Sequence, residues 1–338
     1  MTDAEGGIRT STAPAQGRLA GVPEVRVGVS SCLLGQNVRY DGGNKADPIV
    51  QALGRVFRWI PLCPEVEVGM GTPREPVVLV DRKGKPPNVR MVGVESATDW
   101  TNAMYEFASG HMARFVQQNL RGYILKSRSP SCALGELPVY GPDGTAVQTG
   151  RGLFAQMLVY RMPLLPVEEE CELHELDRAA SFVDEVLGYD RLLKFVRANP
   201  ARTDLVRFHS RHELTLLARG SQHYRRLAHL AAAGRGASQK ELLLKYAQAF
   251  MRCLKLPATR ANHARALRRA SFQLGRAISA WDKSVIDKAI QDYARGEISL
   301  AVPVGLLRQH IGSGASWLGG QSYFEPCPPE VLLGQLGT

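Results

Sequence analysis

The chain has 338 residues, 44% of them hydrophobic and 22% charged, the make-up of a soluble globular protein long enough for two domains with cores of their own. No apolar run reaches the roughly 18 residues of a membrane span. Residues 1–23 lack the apolar core of an export signal, and six cysteines in so long a chain do not form a disulfide scaffold, so a cytoplasmic protein with a disordered tail over 1–23 is expected. Net charge is +10 and unevenly placed: residues 201–283 hold 17 Lys/Arg against four Asp/Glu, a net of +13, while 166–200 carry −5. A basic block of that size is the footprint of a polyanion such as nucleic acid, the alternative being an ordinary solvated helix surface.

Taken in order, Val25–Ser30 reads as a strand that runs into Ser31-Cys32-Leu-Leu-Gly35. Asp47 to Val56 has helical spacing, with Ile49, Val50, Leu53 and Val56 on one face. A second strand, Phe57–Leu62, runs into Cys63-Pro64-Glu65. Val77–Val80 and Asn88–Val94 read as paired strands about the turn residues Asp81–Gly84. Thr98 or Asp99 caps a long helix to about Leu120, which Gly122 ends, and the strand Gly122–Lys126 runs into Ser129-Pro-Ser-Cys132. Pro138–Gly144 reads as a hairpin and Gly152–Arg161 as a closing helix. The layout is α/β, a Rossmann-like doubly wound domain with a parallel or mixed sheet over 24–165.

Pro163-Leu-Leu-Pro166 and Glu168–Glu170 mark a boundary. Residues 166–200 read as acidic connecting helices facing away from the basic surface, and 201–338 as an all-α domain. Helices are expected over 173–187, 189–198, 203–219, 221–233, 238–254, 258–276, 281–295 and 301–311.

Cys32, Cys63 and Cys132 each follow a strand, and in an open parallel sheet the C-terminal strand ends converge on one crevice. Thirty and 68 residues separate them, so no local zinc knuckle is possible and the three meet only through tertiary folding. Any one of them alone reads as a small buried hydrophobe. Together they suit a soft metal or an iron–sulfur cluster; with four irons and three cysteines, one iron would stay open to a substrate. Cys171, Cys253 and Cys327 have no ligand context.

Four blocks in order carry a family resemblance: Ser30-Ser-Cys-Leu-Leu-Gly35, Val38-Arg-Tyr-Asp-Gly42, Cys63-Pro-Glu65 and Leu125-Lys-Ser-Arg-Ser-Pro-Ser-Cys132. Over residues 24–162 the chain resembles the thiouracil desulfidases called TudS. The resemblance implies a [4Fe-4S] cluster held by Cys32, Cys63 and Cys132 with one open iron, Glu65 as acid/base residue, and an assisting serine, Ser129 first and Ser131 second, with Ser127 outside the tight core. The implied reaction is a non-redox hydrolytic desulfuration.

In the second half, Phe208-His-Ser-Arg-His-Glu-Leu-Thr-Leu216, Ser221-Gln-His-Tyr-Arg225, Thr259-Arg-Ala-Asn-His263, Pro303-Val-Gly-Leu-Leu307 and Gln321-Ser-Tyr-Phe-Glu-Pro326 resemble the YbgA-type domain, although the run after His263 is more basic than that pattern. The fusion resembles bacterial desulfidases acting on 4-thiouridine in tRNA. It implies a tRNA partner gripped by the basic block, with Arg211, Arg225, Arg226, Arg260, Arg265, Arg268 and Arg269 as candidate contacts. Desulfuration of free thiouracil or thionucleosides, and an RNA-binding redox sensor, are the competing readings. His209, His212 and Glu213 stand at metal-ligand spacing on one helix face, but a hydrogen-bonded or RNA-contacting histidine pair is the expectation. Tyr224 and Tyr246 read as core rather than base-stacking residues.

Overall fold

The computed structural model describes residues 19, 23–82, 88–135, 137–232, 238–311, 316–325 and 329–334. The expected tail over 1–23, the second half of the turn at 81–84 and Cys327 lie wholly or largely outside the described residues. Strand β1 (Arg26–Ser30) is followed by α1 (Pro48–Leu53), β2 (Arg58–Leu62), α2 (Pro64–Glu67), β3 (Val77–Asp81), β4 (Val89–Gly93), α3 (Thr101–Gln117), β5 (Leu120–Leu125), β6 (Leu137–Tyr140), β7 (Ala146–Gly150), α4 (Leu153–Arg161) and β8 (Val167–Glu169).

The α/β expectation holds, but the strands form two sheets. One is wholly parallel in the order β2-β1-β5-β8, and the other is mixed in the order β4-β3-β6-β7. All six residues of β5 are buried, which is why Tyr123–Leu125 read as an unbroken apolar run rather than an alternating one, with Arg121 paired to Asp190. In the parallel sheet the chain steps from β1 to β2 on one side and returns to β5 and β8 on the other. The reversal of strand order falls between β1 and β5, and the crevice beyond their C-terminal ends is where such sheets bind ligands.

Several expectations are corrected. Gly122 lies inside β5 rather than ending α3. A Cβ there would stand 2.7 Å from Val186 Cγ2, so glycine is required by the close packing of a helix on the sheet. Residues 167–169 are a sheet strand, not connecting helix. The helix that follows, α5 (Leu176–Arg197), is one piece where two were expected. Gly188 does not break it; a Cβ there would meet Leu254 Cδ1 at 2.3 Å, so it too marks a close approach.

Beyond α5 come α6 (Arg202–Arg211), α7 (Glu213–Arg219), α8 (Ser221–Ala232), α9 (Gln239–Leu254), α10 (Arg260–Leu274), α11 (Ala280–Arg295), α12 (Ala301–Gln309), α13 (Ser316–Gly319) and α14 (Pro329–Gly334). The expected helix over 203–219 is split at His212, whose Nδ1 bonds the Phe208 carbonyl at 2.7 Å while its backbone N–H goes to His209. His209, His212 and Glu213 therefore do not share one helix. Among the described residues no helix is long and apolar enough to cross a membrane.

The acidic stretch faces solvent only in part, through Glu172, Glu175 and Asp177. Glu168, Glu170, Asp184, Glu185 and Asp190 are buried. Arg178 pairs with Glu168 and Glu185, Lys126 with Glu170, Arg219 with Asp184 at 2.6 Å, and Arg121 with Asp190 at 2.7 Å. Burying so many carboxylates is tolerable only because each meets a cation. Through Asp184, α5 takes a counter-ion from the basic block itself, and its apolar face joins Val27, Val29 and Ile124 of the sheet.

Candidate active site

The three cysteines arrive at the crevice by three local devices. Cys32 lies in a 3-10 turn, Ser31–Leu34, that Gly35 closes in the left-handed conformation (φ 86°), where its N–H meets the Cys32 carbonyl. Cys63 is the N-cap of α2, with Pro64 setting the first helical residue. Cys132 sits in a turn in which Ser129 Oγ accepts from the N–H groups of Ser131 and Cys132 at 3.3 and 3.2 Å. The start of α4 clamps that turn: Leu153 and Ala155 donate to the carbonyls of Pro130 and Ser131, both at 3.1 Å. A Cβ at Gly152 would stand 2.4 Å from the Ser131 carbonyl carbon, so only glycine lets the helix come this close.

All three thiols are free, Cys32 and Cys132 buried and Cys63 partly so. Burial, followed by the charge of Cys63, pushes the Cys32 thiol up to about 11. Burial raises Cys63 as well. Cys132 is raised furthest from the usual thiol range, by burial and then by Glu65, Cys63 and Cys32. Thiols that penalise one another's ionisation have been brought together, and such a set is relieved by a bound cation. Among the described residues no group of three or more His, Cys, Asp or Glu is arranged to hold a single metal ion.

Glu65 is buried beside them, and its two oxygens have different partners. Oε1 accepts from Ser131 Oγ at 2.8 Å and Ser129 Oγ at 3.3 Å. Oε2 accepts from Arg74 Nε at 3.1 Å, and Nη2 of the same guanidinium closes the ion pair. Arg74 Nη1 reaches the carbonyls of Val38 at 3.0 Å and Gly71 at 2.8 Å, and the Cys63 thiol donates to that same Val38 carbonyl at 3.6 Å. One guanidinium thus ties the carboxylate to the loop lying over Cys63.

Opposite, Lys126 acts on Cys32 by its charge and is held by Glu170 and by Ser127 Oγ at 2.9 Å. Ser127 is therefore bound to Glu170 rather than to Glu65. Ser30 Oγ accepts from the Lys126 N–H at 3.0 Å and works against the rise that burial imposes on the Cys132 thiol. Arg74, Lys126, Glu170 and Ser30 were absent from the sequence-based site. Lys126 and Ser30 lie inside the motif blocks; for Arg74 and Glu170 nothing in spacing points to the site.

In the helical half the candidate arginines divide. Arg225, Arg226, Arg265 and Arg268 are exposed, and no acidic partner stands against them among the described residues. Arg211 pairs with Glu325 at 2.6 Å, and Arg269 pairs with Glu213 at 2.7 Å and lies over Trp317. Arg260 donates to the Tyr293 carbonyl at 3.0 Å. His209 and His212 are buried, His209 bonding Tyr246 Oη at 3.0 Å, so neither reaches a partner at the surface. Tyr246 is core, and Tyr224 stacks on His209.

Clustered thiols and an oriented carboxylate–hydroxyl pair at the C-terminal ends of parallel strands have the arrangement of an active-site crevice in an α/β enzyme. Residues 27–170 match the family described as 2-thiouracil desulfurase, and the chain belongs to that family through this domain. Residues 214–328 match a family described as a protein of unknown function, DUF1722. The chain is 32% identical over 132 residues to the uncharacterized protein YbbK of Bacillus subtilis (strain 168), covering 38% of this chain and 87% of that one. It is 27% identical over 139 residues to the uncharacterized protein YbgA of Escherichia coli (strain K12), covering 40% and 82%. A solved structure, the [4Fe-4S]-dependent thiouracil desulfidase TudS, is 34% identical, with 46% of this chain and 98% of that chain covered and a TM-score of 0.36.

Proposed function

We propose that this protein is a [4Fe-4S]-dependent desulfidase that converts 4-thiouridine in tRNA to uridine. The observation that carries the reading is the position of Glu65, gripped by Arg74 and Ser131, beside three thiols, two buried and one partly so. Cys32, Cys63 and Cys132 would hold the cluster, and the chemistry of the donors fits it: three soft ligands gathered close enough to repel one another when ionised. Bound there, the cluster would supply a soft Lewis acid suited to a thiocarbonyl sulfur.

The rest of the chemistry belongs to the chain. Water replaces sulfur on the ring carbon, so one thiocarbonyl and one water give one carbonyl and one hydrogen sulfide with no change in electron count. Glu65 Oε1 faces the serine hydroxyls and is the atom placed to take the proton from that water. Arg74 occupies Oε2 and fixes the carboxylate plane. Ser131 and Ser129 give their O–H protons to Oε1 and hold that oxygen in its orientation.

Supporting the tRNA substrate are the +13 of residues 201–283 and the four exposed arginines without acidic partners among the described residues. The test compares kcat/KM for 4-thiouridine-containing tRNA and for free thiouracil under anaerobic conditions. A preference for tRNA of at least ten-fold supports the reading; equal or better use of the free base replaces tRNA by the small molecule as substrate.

A further inference from the structure

Helix α10 is built on small buried residues. Ala264, Ala266, Leu267, Ala270, Ser271 and Leu274 face the core, which leaves Arg265, Arg268 and Phe272 on the opposite stripe at positions i, i+3 and i+7. A solvent stripe on such a helix should end in a polar residue. Instead Phe272 is 72% exposed. Across the short connection, the first turn of α11 carries Trp281, 73% exposed. Ser271 Oγ donates to Asp287 Oδ1 at 2.5 Å and ties the end of α10 to the early turns of α11, so both rings belong to the same end of the helix pair. Every other described Phe and Trp is buried or half-buried.

The charges around the rings favour an anionic partner. Arg265 donates to Asn262 at 2.5 Å, and neither it nor Arg268 meets an acid among the described residues. The acids of α11 near Trp281 are engaged: Asp282 with Ser279, Asp287 with Lys283, and Asp292 with Lys288 and Arg295. A second copy of this chain would bring the same +13 segment against itself, which opposes self-association through this face. Aromatic faces beside arginines suit unpaired nucleic-acid bases, because every base has a π-face to stack and every nucleotide a phosphate for a guanidinium.

We infer that the Phe272–Trp281 end of the α10–α11 pair is a stacking platform for unpaired bases of the RNA substrate, with Arg265 and Arg268 on the adjoining phosphates. This rests on the reading of the helical half as the RNA grip. It adds that the grip contacts single-stranded bases and is not a charged surface alone.

The experiment uses the full chain and measures affinity for a folded tRNA and for a perfect RNA duplex across a salt series, for the parent, Phe272→Ala, Trp281→Ala, Trp281→Phe and Arg265→Gln/Arg268→Gln. Each alanine variant should weaken tRNA binding about ten-fold or more without changing the salt slope, because no charge is removed. Duplex binding should stay as in the parent, and Trp281→Phe should retain most of the tRNA affinity. The arginine variant should make the slope shallower. Alanine variants that bind tRNA like a tightly binding parent overturn the platform and leave the RNA grip standing. A parent that binds no RNA at any salt overturns both. A fall in sedimenting mass on Phe272→Ala or Trp281→Ala overturns it in favour of an interface between copies.

Discussion

Arg74 and Glu65 form an ion pair buried beneath the loop that covers Cys63, and the guanidinium closes on Oε2 while Oε1 stays turned toward Ser131. The two oxygens of one carboxylate are thereby assigned different work. Removing Arg74 leaves Glu65 buried without its cation, a loss of about 3–5 kcal/mol at a buried pair. Arg74→Ala should therefore lower the melting temperature and cut kcat far more than it raises KM, with cluster loading retained. Arg74→Lys should restore stability in part but not kcat, since an ammonium cannot grip Oε2 and two carbonyls in one plane. Iron analysis, melting curves and steady-state kinetics on both variants check this.

The two serines separate by geometry. Ser131 Oγ is 2.8 Å from Glu65 Oε1 and fully buried, while Ser129 Oγ is 3.3 Å away and also accepts from two backbone N–H groups. A hydrogen bond to a charged group contributes about 1.5–3 kcal/mol. Ser131→Ala should accordingly lose about ten- to a hundred-fold in kcat. Ser129→Ala should act more through loss of the Cys132 turn, seen as reduced iron content.

Cys32→Ala, Cys63→Ala and Cys132→Ala should each abolish cluster loading, while Cys171→Ala, Cys253→Ala and Cys327→Ala should load normally. Iron and labile-sulfide assays on anaerobically reconstituted protein read this directly. Full loading of any one of the first three removes that cysteine from the ligand set.

The sequence exposed the thiols because each follows a run that reads as a strand, and Glu65 because it stands two residues from Cys63. It did not expose Arg74, whose side chain returns to Glu65 only after residues 69–74 fold back beneath the Val38 loop. Gly122 and Gly188 read as helix breaks because glycine usually is one; here each answers a side chain pressed in from another element, Val186 and Leu254. The acidic run 168–190 read as facing away from the basic surface because its pairing with Arg219 of that block, like that with Arg121, joins residues far apart in sequence. Likewise the helix break at His212 comes from a ring nitrogen competing for a carbonyl, which periodicity does not register.

Burial holds the His209 and His212 rings neutral, down to about 4 and about 3 against an ordinary 6.5. Since the folded values are depressed, the fold binds fewer protons than the unfolded chain between pH 6.5 and 3. Stability is full above pH 6.5 and falls as the pH drops toward 4 and then 3. Melting temperature should decline below pH 6.5, and His209→Phe should flatten that decline. A pH-independent melting temperature between 7.5 and 5 would contradict the assignment.

Salt dependence should locate the RNA grip. Replacing Arg225 and Arg226 by Gln should lower tRNA affinity and reduce the log–log salt slope by about 0.7–0.9 for each phosphate left without its arginine. Replacing Arg211, already paired with Glu325, should change the slope little.

The decisive assay of the desulfidase reading mixes cluster-loaded protein with tRNA containing 4-thiouridine, anaerobically and with no reductant, and counts products. Uridine and sulfide should appear in equal amounts over many turnovers, and a Glu65→Gln variant of equal iron content should be roughly 10²-fold slower. Fully loaded protein that releases no sulfide, or a Glu65→Gln variant that keeps the parent's rate, would contradict it.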